Sequence, residues 1–137
     1  RAQAPLTTTE QLVEVIRRAY PAGARHGRIH IATRTFQALR IAVNRLYEAL
    51  DTALAELPAL LAPGGRLAIL TYHSGEDGRV KRAFRALSRA ADDGTPAGFS
   101  LLTRRPLAPS PDECAANPGA RSARLRVLLA NPARSAA

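Results

Sequence analysis

The stretch Pro63-Gly64-Gly65-Arg66-Leu67-Ala68-Ile69-Leu70-Thr71-Tyr72-His73-Ser74-Gly75-Glu76-Asp77 decides the fold. Arg66 to Tyr72 is a short apolar run bounded by turn residues, and such a run predicts a central buried strand. Helical signals upstream stop at Pro63-Gly64-Gly65, and Val80, Ala83, Phe84 and Leu87 recur at helical spacing downstream. Helix, turn, buried strand, polar loop and helix together predict a parallel α/β sheet. In open sheets of that kind the crevice at the carboxyl ends of the strands takes the ligand. The polar loop His73-Ser74-Gly75-Glu76-Asp77-Gly78 is therefore the first place to expect chemistry.

Working back from the turn, Phe36, Leu39, Val43, Leu46, Leu50, Ala53 and Leu57 form one apolar stripe at spacings of three and four, with Thr33 or Thr35 as its cap. Pro58 falls inside that pattern and should kink or restart the helix there. Ala22 to Ile31 has no periodicity and reads as a loop. Thr7-Thr8-Thr9-Glu10 before Leu12, Val13, Val15 and Ile16 predicts a capped amphipathic helix stopped by Pro21. Working forward, Asp92 to Pro96 breaks the helix after the loop. Phe99 to Thr103 and Ala123 to Leu129 read as two late strands able to pair antiparallel at a sheet edge, joined by an irregular loop from Pro106 to Gly119. In the second strand Leu125, Val127 and Leu129 alternate with Arg124, Arg126 and Leu128.

At 137 residues the chain has room for one domain, and 46% apolar with 23% charged residues is ordinary globular composition. No apolar run approaches the roughly 18 residues of a membrane helix. The opening Arg-Ala-Gln-Ala-Pro carries no hydrophobic signal core, and the lone Cys114 forms no internal disulfide and has no zinc-type spacing, so a reducing cytoplasmic setting is expected. Nineteen Arg and one Lys against eleven acids give a net charge of +9. That excess sits at the ends: residues 1–50 carry +5, residues 51–100 are neutral, and residues 101–137 carry +4. Such a balance points to a polyanionic partner, most economically nucleic acid, although 28 Ala beside so high an Arg:Lys ratio also fits a coding bias.

His73, Ser74, Glu76 and Asp77 hold the parts of a nucleophilic triad, but adjacent residues leaving a strand point to different sides and there is no Gly-x-Ser-x-Gly elbow. One His with two carboxylates is a weak metal set, since His26 and His30 lie in a distant loop. The plainer reading has Ser74 or Asp77 capping the following helix while His73 faces a pocket. On the helix before, Gln37, Arg40 and Asn44 recur at spacings three and four as a polar row opposite Phe36, Leu39 and Val43, suited either to solvent or to phosphates and bases.

Four ordered blocks carry a resemblance. Arg34-Thr35-Phe36-Gln37-Ala38-Leu39-Arg40-Ile41 with Val43-Asn44 is followed by Leu61 to Leu67, then by Tyr72-His73-Ser74-Gly75-Glu76-Asp77 with Val80-Lys81, and lastly by Asn117-Pro118-Gly119-Ala120-Arg121-Ser122-Ala123-Arg124-Leu125-Arg126. In this order they resemble the bacterial ribosomal small-subunit RNA cytosine-N4 methyltransferase family (RsmH, formerly MraW). The family usually has Phe at the position of Tyr72, Leu at that of Gly75 and Pro at that of Ile31. Its members are about twice as long, and their Gly-Gly-His-Ser cofactor loop and Asp-Leu-Gly-Val-Ser-Ser segment are absent here, so the chain resembles the C-terminal half of such an enzyme.

The resemblance implies an α/β fold: the C-terminal portion of a class I (Rossmann-like) methyltransferase sheet over residues 47–137, with part of a helical insertion over residues 1–46. It implies S-adenosylmethionine as methyl donor, no metal, and small-subunit ribosomal RNA in the 30S subunit as partner. His73 and Ser74 become the residues to contact the cytosine or receive its proton, and Glu76 and Asp77 brace the loop. Arg34, Arg40, Arg121 and Arg124 become phosphate contacts, with Gln37 and Asn44 either touching RNA or bracing their helix. The rival expectation is a non-catalytic RNA-binding or assembly module that pairs with a separate N-terminal half or with a second copy of itself.

Overall fold

The turn at Pro63-Gly64-Gly65 fixes where the sheet begins. Gly64 takes φ +79°, a left-handed conformation that a side chain would strain. Its N–H donates to the Ala130 carbonyl and the Ala130 N–H donates to the Gly65 carbonyl, both at 2.9 Å. The computed structural model describes residues 5–21, 23, 30–90 and 97–132. In chain order the elements are α1 (Thr9–Ala19), α2 (Thr33–Val43), α3 (Leu46–Glu56), β1 (Arg66–Thr71), α4 (Ser74–Leu87), β2 (Phe99–Leu101), α5 (Pro111–Ala116) and β3 (Arg124–Ala130). Two compact units divide the chain, residues 1–46 and 47–137. The first holds α1 and α2, and the second holds the sheet, α4, α5 and nearly all of α3.

The described strands lie in the order β1-β3-β2, and both pairings are antiparallel. The expected parallel sheet is thus corrected: no two neighbouring strands among the described residues are parallel. Because β1 and β2 each oppose β3, they run in the same sense with α4 between them in sequence, and β3 fills the gap that separates them. The two late strands do pair antiparallel, Phe99 opposite Ala130 and Leu101 opposite Leu128. β1 is an edge of the described sheet rather than a central buried strand. Leu67, Ile69 and Thr71 are more buried than their neighbours Arg66, Ala68 and Leu70, so the strand shows a period of two where a strand covered on both faces would not.

Leu54 of α3, Val80 and Phe84 of α4 and Leu128 of β3 form the core of the second unit, with Leu50, Leu67, Ile69, Leu87, Phe99 and Leu101 packed around them. Burying each of the large side chains contributes about 1.5–3 kcal/mol. On β3 the most buried residues are Arg126, Leu128 and Ala130, not the Leu125, Val127 and Leu129 that the alternation singles out. An arginine can occupy that face because Asp77 of α4 meets it as a two-pronged ion pair, Arg126 Nε to Oδ1 at 2.7 Å and Nη2 to Oδ2 at 3.0 Å.

Three local details depart from the sequence expectations. The stripe from Phe36 to Leu57 breaks at Asn44-Arg45, where Arg45 takes φ 51°, and Pro58 opens a short 3-10 turn from Leu57 to Leu60. Neither Thr33 nor Thr35 caps α2; Ala32 sits at that position without a side-chain hydrogen bond. The loop from Pro106 to Gly119 contains α5, with Ser110 as its N-cap and Pro111 in its first turn, where a missing N–H costs nothing. By contrast α1 begins with a full capping box: Thr8 accepts from the Gln11 N–H and Gln11 reaches back to the Thr8 N–H. His26 and the Asp92-to-Pro96 stretch lie outside the described residues.

The Asp77–Arg126 pair gives the fold a specific acid sensitivity. The hydrogen bonds from Arg126 hold the Asp77 carboxyl below its ordinary value of 3.8, outweighing the opposing effect of burial, and the charges of Arg126, Lys81 and Arg124 add to the lowering. A depressed folded pKa contributes stability that is present above the unfolded value and lost as pH falls through the folded one. Urea midpoints of the 137-residue chain should therefore fall more steeply below pH 4 than those of an Asp77→Asn variant, which should itself lose about 3 kcal/mol at pH 7 by leaving a buried guanidinium without its charge partner. Parallel acid profiles for the two proteins would contradict this role.

Candidate functional site

The start of α4 sits at the carboxyl end of β1, and its first amides need partners from outside the helix. His73, an unusual capping residue, supplies them. Its Nδ1 accepts from the N–H of Gly75 at 3.2 Å and of Glu76 at 3.3 Å. Glu76 answers: Oε2 accepts from the Tyr72 N–H at 2.9 Å and the His73 N–H at 3.4 Å, while Oε1 lies 3.1 Å from His73 Nε2. With Nδ1 serving as acceptor, this network assigns the proton of the neutral ring to Nε2, which donates it to Glu76. Capping by Ser74 or Asp77, expected from the sequence, is corrected here, because the imidazole occupies the place where a hydroxyl or carboxylate would act. Asp77 is committed to Arg126 instead.

A second brace comes from α3. The Tyr47 ring lies 6.0 Å from the His73 ring at an interplanar angle of 59°. The Arg79 guanidinium sits 4.1 Å above the Tyr47 ring centroid and pairs with Asp51. A Cβ on Gly75 would run into the Tyr47 hydroxyl. The glycine at this position is thus matched to a tyrosine on the neighbouring helix, so the loop gains from Tyr47 the packing that a larger side chain at 75 would otherwise provide.

The structure brings His73, Ser74, Glu76 and Asp77 together with Arg124, whose first-strand position on β3 faces Thr71. Thr71 is buried and donates its hydroxyl to the Arg124 carbonyl at 3.3 Å. Arg121 lies exposed in the 3-10 turn from Pro118 to Ser122 that leads into β3. Ser74 is exposed, and no hydrogen bond joins it to His73, whose ring nitrogens are already engaged; a Ser–His nucleophilic pair is therefore not formed. Among the described residues no three His, Cys, Asp or Glu side chains gather as metal ligands.

In the first unit, Arg34, Gln37 and Arg40 are exposed on α2, and Asn44 is its C-cap. Gln37, Arg40 and Asn44 do share a row, as the spacing implies. That row does not oppose Phe36, Leu39 and Val43 but borders them: Thr33 and all six line one open groove of about 710 Å³. On a 3.6-residue period the two rows lie about a quarter-turn apart, which produces a surface that is apolar along one side and hydrogen-bonding along the other.

Sequence reasoning passed over Tyr47, Asp51, Arg79 and Arg126. For Arg126 the one signal was Leu128, an apolar residue that shares its row in the alternating strand. For Tyr47 the only signal was the unusual glycine at 75.

These features define a strand–polar loop–helix unit of an α/β protein, with functional groups fixed at a strand's carboxyl end. The chain belongs to the MraW methylase family, whose model matches residues 1–130. It is 55% identical over 123 residues to a "Ribosomal RNA small subunit methyltransferase H" of Synechococcus sp. (strain JA-2-3B'a(2-13)), covering 90% of this chain and 36% of that protein. Proteins of the same name from Myxococcus xanthus (strain DK1622) and Acidothermus cellulolyticus (strain ATCC 43068 / DSM 8971 / 11B) are 49% and 50% identical, covering 89% and 92% of this chain and 43% and 41% of theirs. The chain thus spans about two-fifths of the length of the curated relatives it matches.

The fit between Gly75 and Tyr47 is testable by a double-mutant cycle. Gly75→Ala alone should lower the urea midpoint despite the better helix propensity of alanine. In a Tyr47→Phe background, which removes the obstructing hydroxyl and leaves the His73 ring atoms at 3.1 and 3.2 Å as the remaining close neighbours, the same substitution should cost measurably less. Equal effects in both backgrounds would show that the two residues are not coupled.

Proposed function

We propose that the protein to which this chain belongs transfers a methyl group from S-adenosylmethionine to the exocyclic N4 of a cytosine in small-subunit ribosomal RNA. The observation that carries this reading is the family membership across residues 1–130 together with the printed name shared by its relatives. The fold supports it, since strands that run in one sense on either side of a reversed last strand suit the closing edge of a Rossmann-like sheet. The net charge of +9 suits a polyanionic substrate.

The described residues do not by themselves fit S-adenosylmethionine. A ribose diol calls for a free carboxylate beside an apolar slot for the base. The α2 groove has no carboxylate, and in the groove between α3 and α4 the lone Asp51 is held by Arg79. In this reading other parts of the protein hold the cofactor, and the present chain contributes to the RNA side of the site.

A cytosine amine is a poor nucleophile because its lone pair is delocalised into the ring. The site must extrude the base, hold its Watson–Crick edge and align the amine, so positioning accounts for much of the catalysis. The loop from Tyr72 to Asp77 is fitted to that task. His73 acts by shaping it, since both ring nitrogens are engaged within the cap; Ser74, exposed and beside the cap, offers its hydroxyl as a hydrogen-bond partner to the base, and the amine proton leaves to solvent water. Arg121 and Arg124, three residues apart in sequence, take adjoining phosphates in this reading. On α2, Arg34, Gln37, Arg40 and Asn44 offer a second set of RNA contacts. A purely RNA-holding module remains the rival, favoured by the missing carboxylate, and it differs in having no methyl transfer.

Methyl transfer to undermethylated small subunits by the full-length protein separates these readings. Asn caps helices as well as any residue, so His73→Asn should retain turnover within about tenfold, whereas His73→Ala should lose about 1 kcal/mol of stability together with activity. A loss on the order of 10² or more in a folded His73→Asn variant would instead make His73 a proton carrier. No transfer at all by the unaltered protein would leave the RNA-holding module.

A further inference from the structure

Residues 51–100 have no net charge, yet among the described residues three acids that touch α4 are engaged within the fold: Glu76 in the cap, Asp77 on Arg126 and Asp51 on Arg79. Val80, Phe84 and Leu87 face the core. Opposite them, steps of four, four, three and four residues align Ser74, Gly78, Arg82, Arg85 and Arg89 along the outer face, Arg89 lying in the turn that continues the helix with its N–H on the Ala86 carbonyl. All three arginines are exposed, and among the described residues no carboxylate pairs with any of them.

Gly78 makes a gap in this row. The nearest atom to a Cβ built there is Arg82 Nη1, at 3.5 Å, so the guanidinium leans back over the glycine toward the start of the helix, one turn from Ser74. Three like charges at spacings of three and four, without a carboxylate partner among the described residues, cost helix stability rather than adding to it. The favourable interaction with the helix carboxyl end reaches only the last turn, and so does not account for Arg82. In α1, by contrast, Arg17 and Arg18 are both paired with Glu14.

We infer that the outer face of α4 is an RNA-phosphate track, running from the Gly78 clearing under Arg82 through Arg85 to Arg89, and that it seats the strand flanking the base presented at Ser74. This assignment rests on the RNA reading given above and adds residues outside its set of Arg34, Arg40, Arg121 and Arg124. Successive arginines rise about 4.5 and 6 Å along the helix, short enough for their long side chains to reach neighbouring phosphates of one strand.

The test is the salt dependence of binding to a fluorescein-labelled stem–loop of small-subunit ribosomal RNA. Each phosphate contact contributes about 0.7–0.9 to the slope of log K against log salt. The triple variant Arg82→Gln/Arg85→Gln/Arg89→Gln should flatten that slope by about 2, and Arg82→Gln alone by about 0.7–0.9. The control Arg17→Gln/Arg18→Gln should leave it unchanged, and far-UV circular dichroism checks that each variant is folded. An unchanged slope in the folded single and triple variants, with salt-sensitive binding by the unaltered protein, would overturn the track while sparing the RNA reading. Absence of salt-sensitive binding by the unaltered protein would overturn both.

Discussion

The amides at the start of α4 must find acceptors where the edge strand β1 gives way to a helix, and the rest of the second unit is arranged around how they do so. Between Tyr72 and Glu76 the side chains of His73 and Glu76 accept four backbone hydrogen bonds and share one with each other. The exchange fixes the direction in which α4 leaves β1. Once α4 is aimed, Val80 and Phe84 fall onto Leu128 and Leu54, and Asp77 reaches Arg126 across the sheet. Cap, core and ion pair are three consequences of one helix orientation.

The same constraint governs what the loop can do chemically. An imidazole whose two nitrogens serve a cap is a poor candidate to shuttle a proton, since each transfer would release a helix amide or a carboxylate contact. It is well suited to hold a neighbouring hydroxyl still. Tyr47 reinforces the cap from α3 with Arg79 of α4 stacked on its ring, and Gly75 leaves the room that the Tyr47 hydroxyl needs. The small residue at 75 is thereby explained in context, since the Tyr47 hydroxyl fills the space where its side chain would stand.

Much of this was legible in the sequence because the signals are local. Pro63-Gly64-Gly65, the apolar run after it and the spacing of Val80, Phe84 and Leu87 determine the strand, loop and helix in turn. The break at Arg45 was not legible, since the apolar stripe from Phe36 to Leu57 stays in phase across it and a left-handed arginine has no compositional mark. Strand order was hidden for a different reason: nothing in the order of β1, β2 and β3 along the chain says that the last inserts between the other two. The capping role of His73 was missed because hydroxyl, carboxylate and amide side chains dominate N-caps. The outward row of arginines was masked by a neutral local charge, as only the fold shows that Asp51, Glu76 and Asp77 are engaged elsewhere.

The central claim is that His73 is a neutral cap held from both ring nitrogens. Nitrogen-15 spectroscopy of the His73 side chain at neutral pH tests it directly. The account predicts one slowly exchanging tautomer with the proton on Nε2, a pyridine-type Nδ1 shift, and protected amides at Gly75 and Glu76. A ring protonated at Nδ1, or averaging between tautomers beside rapidly exchanging amides, would contradict it.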